Sequence, residues 1–253
     1  MIEVKNVTKR YGEHLAVDNI SFSIEKGKVY GFLGPNGAGK STTMNMITGC
    51  LAMTEGEITI DGHDIFEEPV KAKKLIGYLP ELPPVYLDMT VIDYLKFVAR
   101  VKGVKKSEME TQLQYALDKT KTFDVKDRLI KNLSKGYRQR VGFTQAIIGN
   151  PEVVILDEPT VGLDPRQIIE IRDLIKELGK DRTVILSSHI LSEIESVCEN
   201  IIIIAHGKLV ADDTKANLEE KYGANIEEVF LKLTGEAAEK VKEVATDDSS
   251  ILA

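Results

Sequence analysis

The stretch GPNGAGKST, Gly34 to Thr42, constrains this 253-residue chain more than any other. It fits G-x-x-x-x-G-K-[ST] and lies between an apolar run, KVYGFLG at 28–34, and a helical one. Glycines let the backbone curl so that successive N–H groups point inward, and the helix that follows adds the positive end of its dipole. The pattern therefore predicts a nucleotide phosphate site in which Gly34, Pro35, Asn36, Gly37, Ala38, Gly39 and Thr42 wrap the phosphates. Lys40 would reach the β- and γ-phosphates, and Ser41 would ligate Mg²⁺. A glycine-rich turn with no ligand is the competing reading, and the flanking strand and helix weigh against it.

A second element supports the first. In VVILDEP, 153–159, a continuous apolar strand delivers Asp157 to the carboxyl edge of a sheet, where ligands of open α/β sheets bind. There its carboxylate can hold Mg²⁺ through water, and Glu158 beside it is placed to polarise an attacking water as general base. Two surface acids ending a strand is the bland alternative. The strands VVILD, TVILSS and NIIIIA are interleaved with the helical DPRQIIEIRDLIKELG, which predicts a parallel sheet covered on both faces. Upstream, MIEVKNV, ISFSI (20–24) and GEITIDG (56–62) read as half-buried or hairpin strands. From about Pro80 the period turns helical, in VIDYLKFVARVKG and SEMETQLQYALDKT. Residues 82–150 thus read as an inserted helical subdomain, in which 13 Lys and Arg face 7 Asp and Glu. That block is net +6 in a chain of net −7, so the remainder is −13. An acidic whole argues against a surface built to grip nucleic acid, while the basic block points to a partner surface or a solvated helical face.

Cys50 and Cys198 have neither metal-ligand spacing nor the density of a disulfide scaffold, and read as free, buried thiols. The opening MIEVKNVTKRYGEH lacks the apolar core of a secretory signal. No apolar run approaches the roughly 20 residues needed to span a bilayer, so the chain is not expected to cross one itself. IEEVFLKLTG, 226–235, reads as an amphipathic terminal helix packed on the core, and the polar tail beyond about Gly235 as a fraying end.

Two helix starts add detail. Asp164 before Pro165 and an amphipathic run (Ile168, Ile171, Ile175, Leu178) closed by Gly179 has the form of a helix N-cap. In LSKGYRQR, 133–140, Ser134 can cap a helix running from about Lys135 to Ile148, and Gly136 allows close approach of a ligand. A helix start with free N–H groups is an anion site, yet residues 34–42 already enclose one nucleotide's phosphates. Arg138 and Arg140 read as surface cations of that helix. His14, His63 and His206 read as structural.

In order along the chain stand a phosphate loop, an LSxG segment, the ILDEP strand, a GLD turn and a histidine after a strand. Together they make residues 1–220 resemble the ATP-binding subunit of ABC transporters. Details such as IGYLPE and EPTVGLDP resemble the branch serving ABC-2 type exporters. The resemblance implies a P-loop NTPase (RecA-like) α/β core with a parallel sheet, a small antiparallel β subdomain and the helical insertion, followed by a C-terminal extension over 221–253. It implies that Tyr11 stacks on adenine and that His189 contacts the γ-phosphate and positions the attacking water. Asp164 would contact a facing domain as well as capping its helix. Where the family has a metal-contacting glutamine, this chain has Glu81, which keeps an oxygen ligand and adds a charge. The family's LSGGQ reads Leu133, Ser134, Lys135, Gly136, Tyr137 here, and Lys135 either adds attraction for a γ-phosphate or points to solvent.

The resemblance also explains the surplus anion site. Two such domains face each other head to tail, and each LSxG segment closes on the ATP–Mg²⁺ held by the other. The implied partners are a second ATP-binding domain, identical or not, and a separate transmembrane permease at the cytoplasmic face of the membrane, with no nucleic acid. A soluble ATP-driven clamp on DNA or ribosomes would carry a long coiled coil, zinc-binding cysteines or a second ATP domain, none of which is in the sequence. A regulatory ATP switch on a membrane-bound hydrolase stays open at this level.

Overall fold

A computed structural model describes residues 1–235, which divide into two compact units. The first comprises residues 1–25, 30–67 and those from 187 onward; the second comprises 26–29 and 68–186.

In the first unit β1 (Ile2–Tyr11) and β2 (His14–Ile24) form an antiparallel hairpin. It is longer than the alternating runs at 1–7 and 20–24 predict. The reason is local: Asn6 and Asn19 adopt left-handed φ of 50° and 47°, and the register shifts between Val4 and Val7. Asparagine tolerates that conformation, so bulges carry the strands past the points where alternation breaks. The phosphate-loop strand β3 (Val29–Leu33) leads into α1 (Lys40–Ile47). Next, β4 (Glu55–Ile60) pairs with β1, and β5 (His63–Asp64) completes an antiparallel sheet ordered β2-β1-β4-β5, with Ile2, Val4, Ile58 and Ile60 buried.

The second unit begins its regular structure with α2 (Pro69–Lys74) and β6 (Ile76–Leu79), then α3 (Val91–Val101), α4 (Met109–Lys119) and α5 (Lys135–Ile147). The strand β7 (Val153–Asp157) runs parallel to β6, with Leu79 opposite Leu156. Then come α6 (Pro165–Leu178) and β8 (Thr183–Ser187), which neighbours β7. Every residue of β7 and β8 is buried, as expected of continuous apolar strands in a sheet covered on both faces. Thr90 caps α3 by accepting from the Asp93 N–H, and α3 to α5 pack around Leu95, Leu113 and Phe143. At the end of α6, Gly179 is right-handed, not the left-handed cap that a terminal glycine suggests. A Cβ there would lie 2.3 Å from Val29 Cγ2, so the glycine serves close packing.

The chain then returns to the first unit with α7 (Leu191–Val197), β9 (Asn200–Ala205), β10 (Lys208–Thr214) and α8 (Lys215–Tyr222). There β9 pairs parallel with β3 and antiparallel with β10. Residues 226–235 are helical and bury Ile226, Val229 and Leu233 while leaving Leu231 exposed. The tail after 235 lies outside the described residues.

The carboxyl end of α5 is closed by a lysine. Lys102 Nζ donates to the carbonyls of Gln145 (2.7 Å), Ala146 (3.2 Å) and Ile148 (2.8 Å). A cation at a helix C-terminus meets otherwise unpartnered carbonyls and the negative end of the dipole. Burial lowers the Lys102 pKa to about 8. Because the folded value lies below the unfolded one, the protonation-linked part of the group's contribution to stability is complete above pH about 10.5 and is lost as pH falls through about 8, while its hydrogen bonds to the carbonyls remain. Lys102→Met should lower unfolding free energy by about 2 kcal/mol near neutral pH, by stranding carbonyls. In denaturant titrations the gap between wild type and variant should widen from pH 8 towards 10.5.

Candidate functional site

Each unit presents its own set of chemical groups. In the first, β3 delivers residues 34–39 to the start of α1. The turn closes through the Ala38 N–H donating to the Pro35 carbonyl (3.1 Å) and the Thr43 N–H to that of Gly39 (2.9 Å). Two glycines are dictated by space. A Cβ on Gly34 would lie 2.3 Å from the Ile204 carbonyl oxygen, and one on Gly39, at φ 103°, 2.7 Å from that of Ala16. The loop is therefore seated against backbone on both sides, which fixes where its N–H groups point. Lys40 is buried and folds back along the loop, donating to the carbonyls of Gly34 (2.7 Å) and Pro35 (3.2 Å). The first turn of α1 has no acidic residue and no side-chain cap. A cradle that a Cβ would fill, an ammonium and an uncapped helix start form the donor set a phosphate chain requires.

His189 is exposed on the turn before α7. Beneath it the buried Ser188 hydroxyl donates to Glu193 Oε2 (2.9 Å) and accepts from the Ile190 N–H (3.0 Å). This support had no sequence signal, because a serine and a glutamate five residues apart match no motif. Tyr11 is half exposed at the tip of the β1–β2 hairpin, with Lys9 Nζ 5.1 Å from its ring centre.

In the second unit, parallel pairing of β6 and β7 brings Glu81 and the pair Asp157–Glu158 to the same edge of the sheet. Asp157 is 3% and Glu158 9% exposed, whereas Glu81 is exposed. Glu158 has a left-handed backbone, φ 50°. For a non-glycine residue that costs on the order of 1–2 kcal/mol and marks a carboxylate aimed by its surroundings. The turn that follows, with the Leu163 N–H donating to the Thr160 carbonyl (3.1 Å), ends at Asp164.

Both helix caps form as the sequence predicts. Ser134 Oγ accepts from the Tyr137 N–H (3.3 Å). Asp164 accepts from the Gln167 N–H (2.9 Å), and Gln167 returns the bond from the Asp164 N–H, a capping box. That second half was readable as D-x-x-Q. Three expectations are corrected. Arg140 is buried, not a surface cation: its guanidinium pairs with Glu170 (2.5 Å) and donates to the Thr120 carbonyl (3.3 Å). Arg138 is half buried and donates to the Lys131 carbonyl (2.8 Å). Cys50 is exposed; only Cys198 is buried, and burial raises its thiol pKa. Lys135, left open between two readings, lays its side chain over Gly162. Among the described residues no cluster of three or more His, Cys, Asp or Glu could hold a metal, and no helix is long and apolar enough to cross a membrane.

The profile of the ABC transporter family matches residues 17–161, more than half of the chain. The chain belongs to the ABC transporter family. It is 43% identical to the uncharacterized ABC transporter ATP-binding protein YhcH of Bacillus subtilis, over 83% of this chain and 68% of that one. The bacitracin transport ATP-binding protein BcrA of Bacillus licheniformis is 39% identical, over 84% of this chain and 69% of its own length. A dimeric ATP-binding cassette in a post-hydrolysis state, bound to ADP and Pi, superposes with a TM-score of 0.77 at 26% identity, covering 85% of this chain and 98% of that one. As an ABC transporter subunit the chain is an ATP-binding cassette and an ATPase.

Gly136, in the LSxG segment of this ABC transporter subunit, is explained within its own unit: a Cβ there would lie 2.6 Å from Gln167 Oε1 and 3.3 Å from Leu163 Cδ2. Gly136→Ala should cost about 1–2 kcal/mol in chemical unfolding by displacing the capping glutamine. Adding Gln167→Ala should leave the double variant no less stable than Gln167→Ala alone, since neighbours sharing one clash are non-additive.

Proposed function

We propose that the chain pairs head to tail with a second ATP-binding cassette and drives a separate permease that exports its cargo. The observation that carries this reading is the start of α5. Ser134 is exposed, the first turn holds no acidic residue, and the segment exists in addition to the loop at 34–42. One nucleotide needs one phosphate cradle, so the second serves the ATP of the facing subunit. Dimerisation in the similar post-hydrolysis cassette and the transport named for the bacitracin relative support the reading.

In this proposal the loop 34–42 binds the phosphates, with Lys40 turning from its own loop carbonyls to the β- and γ-phosphates. Tyr11 offers its exposed face to adenine. Ser41, Asp157 and Glu81 would hold Mg²⁺; all three are oxygen donors, which that hard cation prefers. When bound, Mg²⁺ supplies neutralisation of the phosphate charge. Glu158 takes the proton of the attacking water, and its constrained backbone holds the carboxylate in line. His189, exposed on its Ser188–Glu193 support, orients that water, while Ser134, Gly136 and Asp164 reach the facing site.

The permease contact is assigned to an exposed apolar patch on the second unit. Leu82, Tyr86, Leu87, Phe97 and Val101 are all exposed there, and Tyr86 stacks edge-on against Tyr94 (6.0 Å) and Phe97 (5.6 Å). Tyr86 and Phe97, exposed beside the buried Tyr94, give the patch the aromatic surface that a docking site requires. The chain would then sit at the cytoplasmic face of the membrane without entering it.

Glu158→Gln should cut ATP turnover by about 100-fold or more while ATP-bound dimers accumulate in size-exclusion chromatography. Unchanged turnover in that variant contradicts the assignment. Separately, Tyr86→Asp with Phe97→Asp should abolish co-purification of a multi-span membrane protein and leave nucleotide affinity within twofold. Retained co-purification would move the contact elsewhere.

A further inference from the structure

The starts of α5 and α6 are fastened to each other at three successive levels. At the first, Lys135 lies over Gly162: a Cβ on that glycine would meet Lys135 Cδ and Cε at 2.7 Å and Nζ at 2.9 Å. One level along, the bare backbone of Gly136 abuts Gln167, whose side chain completes the α6 capping box, and Leu163. At the third, Arg140 and Glu170 form an ion pair with side chains only 6% and 21% exposed. Glu170 is approached also by Lys121 (3.0 Å) and by Arg166 (3.7 Å), while Arg140 is held by the Thr120 carbonyl (3.3 Å). Arg140 and Lys121 hold the Glu170 carboxyl below its usual pKa.

A buried ion pair is an inefficient way to gain stability, because well-packed apolar residues do as well without the desolvation cost. What it supplies is geometry: a planar guanidinium held by a carboxylate on one side and a carbonyl on the other admits one relative placement of the two helices. The pair stands one turn below two segments that carry no such lock themselves, the LSxG start and the GLD turn. We infer that Arg140 and Glu170 are positioning residues that make the LSxG segment and the GLD turn a single rigid jaw. The jaw closes on the facing subunit's nucleotide as one body, so neither segment can engage without the other. This rests on the head-to-tail reading above. Lys135 belongs to the same jaw, its aliphatic chain replacing the side chain that residue 162 lacks.

The test uses the full chain carrying Glu158→Gln, which accumulates ATP-bound dimers under that reading. Glu170→Gln keeps shape and hydrogen bonding but removes the charge that fixes the guanidinium. It should weaken ATP-dependent dimerisation about tenfold, measured by sedimentation velocity, and leave the monomer's affinity for a fluorescent ADP analogue within twofold. In the chain with Glu158 intact, Glu170→Gln should lower the Hill coefficient for ATP towards 1, a readout that general destabilisation does not move. Arg140→Lys, which keeps the charge and loses the fork, should give an intermediate loss and serves as the second variant if Glu170→Gln fails to fold. Dimerisation unchanged in both variants overturns the inference, as does an equal fall in ADP affinity, which would show a general disturbance of the unit. If the parent Glu158→Gln chain itself stays monomeric in ATP, the head-to-tail reading has failed and the jaw with it.

Discussion

The first unit depends on how closely backbone is allowed to approach backbone. A phosphate loop works only if several N–H groups converge, and convergence holds only if the loop cannot relax. Here the loop is wedged: the Ile204 carbonyl stands against Gly34, and the Ala16 carbonyl against Gly39. No larger residue fits at either place. Those two contacts require β9 to lie parallel beside β3 and β2 to pass behind the start of α1, so the arrangement of the first unit follows from the loop's need for fixed neighbours. Lys40 completes the arrangement by bonding to the loop's own carbonyls, which holds its ammonium against the loop.

The second unit solves a different problem, that of holding carboxylates where they are costly. Asp157 and Glu158 sit at the end of a strand with no exposed residue, and Glu158 turns through a left-handed conformation to get there. Strain of that kind persists only where the surroundings over-determine it. The surroundings here are a parallel pair, β6 and β7, whose register, Leu79 opposite Leu156, brings Glu81 and Asp157 to one edge. The apolar strand thus acts as a rigid stem for acids that would otherwise solvate themselves and drift.

Much of this was legible from residue order alone. The phosphate loop, the strand ending at Asp157, the helices α3 to α6 and both N-caps follow from motif spacing and apolar period, which are local properties. What escaped was non-local. Arg140 looks like one of three cations in LSKGYRQR, and only the approach of Glu170, thirty residues on, makes it a buried clamp. The β1–β2 hairpin runs through two asparagine bulges that interrupt the alternation a strand is recognised by. Cys50 and Cys198 are indistinguishable by type yet opposite in burial. Gly136 and Gly179 invite explanation by ligand approach and by helix termination, but each is small because a neighbouring side chain occupies its space.

That last point changes what a glycine in an LSxG segment means. If Gly136 were there only to admit a phosphate, its neighbours could vary freely. With Gln167 and Leu163 against it, the glycine also records how near α6 must come to α5. Under the head-to-tail proposal the same residue would serve two surfaces: one against its own chain, fixed on folding, and one offered outward to a facing subunit's nucleotide. The lysine's Cδ, Cε and Nζ at position 135 all lie over Gly162, within 2.9 Å of where a Cβ on that glycine would stand. A lysine that looks like a loss of the family's pattern thus packs against the neighbouring turn of its own chain.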